Sequence, residues 1–238
     1  MGGMGGSRVT KREEAPAFWR IKKKVKEFTI TPSPGPHPKK ECYSLGVLIR
    51  DVLNLTSNMR ETKALIKEGK VLVDGVIRKD LGFPLGLMDI IEIPSIKKVY
   101  RLVPQKNLPL YPLEIDPKER ELKLCYVKRK LAIKGNKIQL GLHDGRTLIH
   151  DSGVKVRDSL LLEVPSQKVI EHLRLEKGAL ALVIKGKWVG ALGKIVSVNK
   201  GSFSTPPTVS LEIDGEQFNL RKDSIMVIGK DKPLITLG

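Results

Sequence analysis

Three Asp-Gly dipeptides, at 74–75, 144–145 and 214–215, each stand between apolar stretches. Both central positions of the tightest hairpin turn need φ > 0, which Asp-Gly tolerates, so each pair predicts two antiparallel strands folded back on one another. The flanking residues differ, so the three turns do not mark an internal repeat. The first lies in the stretch with the densest local signals, 43–94. Leu45, Leu48, Ile49, Val52 and Leu53 recur at the spacing of one helix face, with Ser44 before them as a candidate N-cap. A second helical pattern starts at Asn58, with Glu61 three residues on, and closes at Gly69. Strands at 70–73 and 76–79 then flank the turn, and a last strand is expected at 89–93. On the second helix Met59, Thr62, Leu65 and Ile66 face inward. Arg60, Lys63 and Lys67 share a different face, with Glu61 and Glu68 off to one side. Such a face is either solvated surface or a contact for a polyanion.

The charge of the whole chain favours the polyanion. Its 238 residues carry 43 Lys+Arg against 26 Asp+Glu, a formal net charge of +17. The excess is not a single tail: each part of the chain is basic, and residues 1–41 are the most biased, with 10 bases and 4 acids. That distribution fits a protein touching nucleic acid along much of its length. No run of about 18 apolar residues is present and no signal peptide opens the chain, which argues against a membrane partner. Cys42 and Cys125 lie far apart and form no CxxC pair. They fit a reducing cytosol and speak against a disulfide framework or a Cys-based zinc site.

Elsewhere the local signals are simpler. The Gly-rich opening 1–14 has no apolar period and is expected to lack structure of its own. Phe18, Ile21, Val25 and Phe28 have helical spacing, but Lys22, Lys23, Lys24 and Lys26 among them favour phosphate contact over a plain packing helix. Prolines at every second position of 31–40 predict an extended strap, with His37 as a surface contact on it. Removing residues 1–40 is accordingly expected to leave a folded remainder that grips RNA less tightly. Residues 97–117 read as a Pro-interrupted connection. Strands at 130–134, 137–143 and 146–150, joined by Gly135-Asn136 and Asp144-Gly145, form a meander that 160–164 would join, and 169–173 reads as a bridge. Strands at 179–184, 194–198, 208–213, 216–220 and 225–228, with glycines at 186, 190 and 193, imply a small closed barrel.

No constellation points to catalysis. Gly193-Lys194 is followed by Ile195 and position 188 is Trp, so a Walker A loop fails in both spacing and hydroxyl. The dinucleotide pattern is absent, as is a parallel βαβ unit. His143-Asp144 and His150-Asp151 are weak evidence for a metal, and a structural role is preferred. Aromatics make up 5% of residues, too few for single-strand stacking platforms, which favours folded RNA read through phosphates, 2′-hydroxyls and shape. Trp19, Tyr100 and Trp188 are the candidates to stack on a base. Core packing is preferred for all but Trp188.

The motifs themselves resemble known modules. V-D-G-V-I-R-K-D at 73–80 and P-L-G-L-M-D-I-I-E-I at 84–93, after a basic helix, resemble the S-four-type RNA-binding domain. The glycine-punctuated segment 186–198, ending G-K-I-V-S-V, resembles a KOW motif in an SH3-like barrel. Ala15-Pro16 with Trp19, P-S-P-G-P-H at 32–37, K-L-C-Y-V at 123–127 and H-D-G-R-T at 143–147 add matches in order. Together they resemble the archaeal and eukaryotic small-subunit ribosomal protein S-four-e family over essentially the whole chain.

The resemblance implies a cytoplasmic, structural constituent of the small ribosomal subunit that binds and braces folded rRNA in translation. Its partners would be small-subunit rRNA and neighbouring ribosomal proteins, with no membrane, small-molecule substrate, cofactor, metal or catalytic residue. The expected fold is α+β in four parts: a basic extension and strap (1–41), a helix-pair-plus-hairpin RNA-binding domain (42–94), a central antiparallel β domain (95–171) and a C-terminal SH3-like KOW barrel (172–238). The resemblance sets Arg60, Lys63 and Lys67 toward RNA, and puts the 186–194 loop, with Lys187, Trp188 and Lys194, on the barrel's contact surface. The remaining candidate RNA-binding residues are Arg8, Lys11, Arg12, Arg20, Lys22, Lys23, Lys24, Lys26, His37, Lys39, Lys40, Lys70 and Arg78. Two rivals stand beside this reading. One is an RNA-modifying enzyme carrying the helical module, for which 94–238 offers only short strands. The other is a KOW-bearing transcription factor, which leaves the strap and the helical module unexplained.

Overall fold

The computed structural model describes residues 9–22, 27–106, 108–135, 137–150, 153–202, 205–213 and 215–237. Arg8, Lys23, Lys24, Val25, Lys26, Asn136, Asp151 and Asp214 therefore lie outside the described residues. At the N-terminus β1 (Thr10–Lys11) pairs with β2 (Phe28–Thr29). Between them, among the described residues, the apolar spacing from Phe18 gives the 3-10 turn Ala17–Trp19, ended by Arg20 at φ +51, a left-handed conformation that stops a helix. Trp19 is fully buried and its indole N–H donates to the Cys42 carbonyl at 2.8 Å. The phenol of Tyr43 lies 2.9 Å from the Phe18 carbonyl and 3.2 Å from that of Leu110. The segment around Phe18 and Trp19 is thus built into the core, not draped over it.

After β3 (Tyr43–Ser44), the first helical pattern forms one turn of α1 (Leu45–Val47) and runs on as a π-helical turn over Leu48–Val52. Ser44 stands at the N-cap, but its side chain makes no capping hydrogen bond. The second pattern is α2 (Met59–Lys67), and its cap is the one expected. Asn58 Oδ1 accepts from the Glu61 N–H at 3.0 Å, while the Glu61 carboxylate accepts from the Ser57 N–H at 2.9 Å. Gly69, at φ +77, ends it. Next come β4 (Leu72–Val73), β5 (Val76–Ile77), β6 (Pro84–Leu85), β7 (Ile90–Ile93), β8 (Lys98–Gln105) and β9 (Leu108–Ile115). Asp74 and Gly75 turn the first hairpin at φ +49 and +74. β3 pairs with β6, and the other five strands make one sheet in the order β5-β4-β7-β8-β9.

Residues 97–117 are therefore not a connection; they supply the sheet's two longest strands. The prolines misled because of where they sit. β9 is an edge, where a missing N–H need not break a ladder, and Pro104 falls at the register shift between Val103 and Gln105. The meander follows: β10 (Leu122–Ile133), β11 (Lys137–Leu142), β12 (Thr147–Ile149), β13 (Ser159–Glu163) and β14 (Lys168–Leu173), ordered β12-β11-β10-β13-β14. The segment read as a bridge at 169–173 is the edge strand β14. All five strands expected near the C-terminus are present: β15 (Leu180–Val183), β16 (Leu192–Asn199), β17 (Thr208–Ile213), β18 (Glu216–Arg221) and β19 (Ile225–Gly229), ordered β18-β17-β16-β15-β19. A Cβ at Gly193 would stand 2.7 Å from the Glu212 carbonyl oxygen, so glycine lets β16 lie close on β17. The main core joins this last sheet to Met88, Val103, Leu124, Tyr126 and Leu161 of the others. The molecule is mostly β with few helices, which narrows the α+β expectation.

Candidate nucleic-acid interface

On α2 the helical period does what its spacing predicts: Thr62 and Ile66 are buried, while Arg60, Lys63 and Lys67 are exposed. No acid pairs with these three among the described residues, because Glu61 is held by the cap and Glu68 bonds Lys70 at 2.6 Å. Arg78 is half-buried, its guanidinium 4.5 Å above the Phe83 ring. Lys11, Arg20, Lys22, Lys39 and Lys40 are exposed. Arg12 turns inward, and its Nε and Nη2 donate to the Ile21 carbonyl at 3.0 and 2.5 Å.

The C-terminal loop serves packing as well as exposure. Gly190, at φ +86, backs onto the β8–β9 turn, and a Cβ there would stand 2.7 Å from the Gln105 carbonyl carbon. Trp188 is 36% exposed and lies 4.4 Å from the Phe218 ring, with the Lys187 ammonium 5.5 Å above its own ring. Lys194 is exposed and 3.8 Å from Asp231. As preferred from sequence, Trp19 and Tyr100 are core residues.

His37 is not the surface contact expected of it. It is 7% exposed, and its Nε2 lies 3.1 Å from an Asp89 oxygen. The strap admits it because Gly86 leaves the space that the His37 ring fills. Asp89 belongs to a buried ionic cluster that sequence reading missed. At its centre the Lys123 ammonium, wholly buried, lies 2.6 Å from Asp74, 2.7 Å from Asp89 and 3.1 Å from Asp144. Arg146 bonds Asp74 at 2.7 Å. Backbone donors complete the carboxylates, with Ile90 N–H on Asp74 and Gly86 N–H on Asp89.

Burial opposes charge on each of these groups, and the neighbours decide the outcome. Burial would raise Asp89, but Lys123 and His37 hold its carboxyl below the usual range. Asp144 is lowered likewise, by Lys123, His143 and Arg146 against burial. At Asp74 burial prevails over Lys123 and Arg146, and its carboxyl is raised. Burial would lower Lys123, yet Asp74 and Asp89 hold it well above the usual lysine value. The signal in the sequence was a lysine inside the apolar run L-K-L-C-Y-V.

Burial pushes His143 down to about 4, so it is neutral near pH 7. It donates through Nε2 to the Leu87 carbonyl at 3.0 Å and stacks on Tyr126. Ligand atoms of Cys125, His143 and Asp144 lie within 4.8 Å of one another. That set suits a hydrogen-bonded core better than a metal, since Lys123 already pairs with Asp144 and burial keeps the Cys125 thiol protonated.

Three family models match the chain: the S4e family of ribosomal proteins over residues 96–169, the RS4NT (NUC023) domain over 4–40 and the S4 domain over 52–91. The small ribosomal subunit protein eS4 of Korarchaeum cryptofilum is 40% identical over 238 residues, covering 100% of both chains. That of Methanothermobacter thermautotrophicus is 39% identical over 235 residues, covering 98% of this chain and 97% of its own. The crystal structure of the 30S ribosomal protein S4e from Thermoplasma acidophilum superposes with a TM-score of 0.70 at 32% identity. It covers 80% of this chain and 96% of its own.

Proposed function

The chain belongs to the S4e family of ribosomal proteins, and from that premise we propose that it is a structural constituent of the small ribosomal subunit that binds and braces folded rRNA during translation. Its partners are small-subunit rRNA and neighbouring ribosomal proteins, and its place is the cytoplasmic ribosome. Positive side chains spread over several sheets neutralise phosphates together, so affinity falls steeply with salt. The observation that carries this reading is the α2 face, where Arg60, Lys63 and Lys67 stand exposed with no acid to pair them among the described residues. The S4-type module, the central β part and a C-terminal KOW barrel of SH3 type then each present basic residues to one long RNA. The five-strand order of β15 to β19 and the glycines of the 186–194 loop support that barrel.

Charge reversal tests the reading. Lys63→Glu with Lys67→Glu weakens binding to transcribed small-subunit rRNA by roughly tenfold or more and flattens the salt dependence by about two units of slope. Lys230→Glu, also exposed, changes affinity little. Equal losses in filter binding would remove the helix face from the interface. Sedimentation of the protein away from small subunits would remove the function.

A further inference from the structure

The strap, the β9 edge and the loop after β15 enclose a cleft of about 740 Å³ that the α2 interface does not use. Its floor is apolar and aromatic. Tyr126 and His143, both 8% exposed, stack at 4.7 Å and 17°, with Leu87, Leu110 and Ile184 around them. Its rim is basic: Lys40 of the strap, Lys128 of β10, and Arg157, Lys185 and Lys187 face two acids, Glu41 and Asp223. Both acids are already engaged, Glu41 by Lys185 at 2.5 Å and Asp223 by Arg157 at 2.5 Å. Lys40, Lys128 and Lys187 are exposed and have no acidic partner among the described residues.

Two further details mark the cleft as built. Arg157 takes φ +81, a conformation costly for a residue with a Cβ, while its guanidinium lies 4.9 Å over the Tyr126 ring. His143 carries its proton on Nε2, so Nδ1 is an acceptor, and it is buried without a partner.

Unpaired cations around a largely apolar floor edged by two aromatic rings match a base joined to a phosphate. We propose that this cleft takes one unstacked nucleotide of the bound RNA, with its base against the Tyr126–His143 floor and its phosphate at Lys40, Lys128 and Lys187. The proposal rests on the reading that the chain binds rRNA. An acidic tail of a protein neighbour fits the rim but leaves the apolar, aromatic floor unused.

Ultraviolet cross-linking of the full chain to transcribed small-subunit rRNA, followed by trypsin and mass spectrometry, tests this. A nucleotide adduct is expected on the peptide 124–128, which contains Tyr126. Lys128→Glu with Lys187→Glu, in which the Tyr126 peptide lengthens to 124–129, abolishes the adduct on that peptide and weakens binding roughly tenfold without moving the thermal midpoint. Lys63→Glu with Lys67→Glu weakens binding yet keeps the adduct at saturating protein. Wild-type affinity in the cleft variant, or no adduct on the Tyr126 peptide of the unmodified chain, overturns the proposal. So does a lysine cross-link in assembled subunits joining Lys128 to a protein tail while that adduct is missing. Failure of the unmodified chain to bind rRNA at all sinks the functional reading itself, a result distinct from the other two.

Discussion

Lys123 shows how far one side chain can matter here. Three carboxylates face its ammonium, and removing one member of a buried ionic set strands the others. Lys123→Met should therefore cost about 3 kcal/mol or more in urea unfolding. The pH dependence should change sign as well. In the unmodified protein Asp89 and Asp144 have lowered folded pKa values, while Asp74 is raised and opposes them. Their stabilisation is present above about pH 4, the unfolded carboxyl value, and is lost as pH falls through the folded one. Lys123, held above its unfolded value, contributes fully below about pH 10 and loses that contribution at more alkaline pH. Without Lys123 the buried carboxylates take up protons more readily when folded than when unfolded, so the variant gains stability between pH 7 and 5. A variant that loses stability over that range would show the carboxylates to be stabilised without the lysine. Asp74 and Asp144 were legible in the sequence as turn formers, but their second role was not. Their common partner is a lysine on another strand, 49 residues beyond Asp74.

At the scale of elements, local chemistry predicted local structure. The α2 cap, the Asp74-Gly75 hairpin and the five C-terminal strands follow from caps, turn residues and alternation within a few neighbours. The failures came where the partner is distant. Prolines between 104 and 112 hid β8 and β9 because only the sheet order shows which strand is an edge. Apolar spacing from Phe18 suggested a helix, though Trp19 is fixed by the distant Cys42 carbonyl. Glycines differ in the same way. Gly190 and Gly135 both have positive φ, but a Cβ at 190 meets the Gln105 backbone, whereas the space around Gly135 is open. Gly135→Ala should cost about 1 kcal/mol from backbone conformation alone. Gly190→Ala should cost roughly 2–3 kcal/mol, since loop and β8–β9 turn must also part. Equal melting temperatures for the two variants would show that the loop does not dock there.

For the molecule as a whole, the N-terminal segment cannot be treated as a detachable arm. Deleting residues 1–40 removes Trp19 from the apolar cluster it forms with Tyr43, Leu45, Leu48 and Tyr100, and His37 from Asp89. The truncated chain should lose roughly 3 kcal/mol or more of stability, the range for losing a buried Trp. Urea unfolding of the truncated chain at the full-length midpoint would show an independent strap instead. The buried cluster also bears on how the protein is made. Asp74 and Asp89 leave the site of synthesis 49 and 34 residues before Lys123, and Arg146 follows Asp74 by 72. While the nascent chain ends short of β10, its finished half holds Asp74 and Asp89 without the lysine that joins them, and only Asp89 has an earlier side-chain partner among the described residues, His37. Long-range pairing of this kind ties the closing of that half to the arrival of β10.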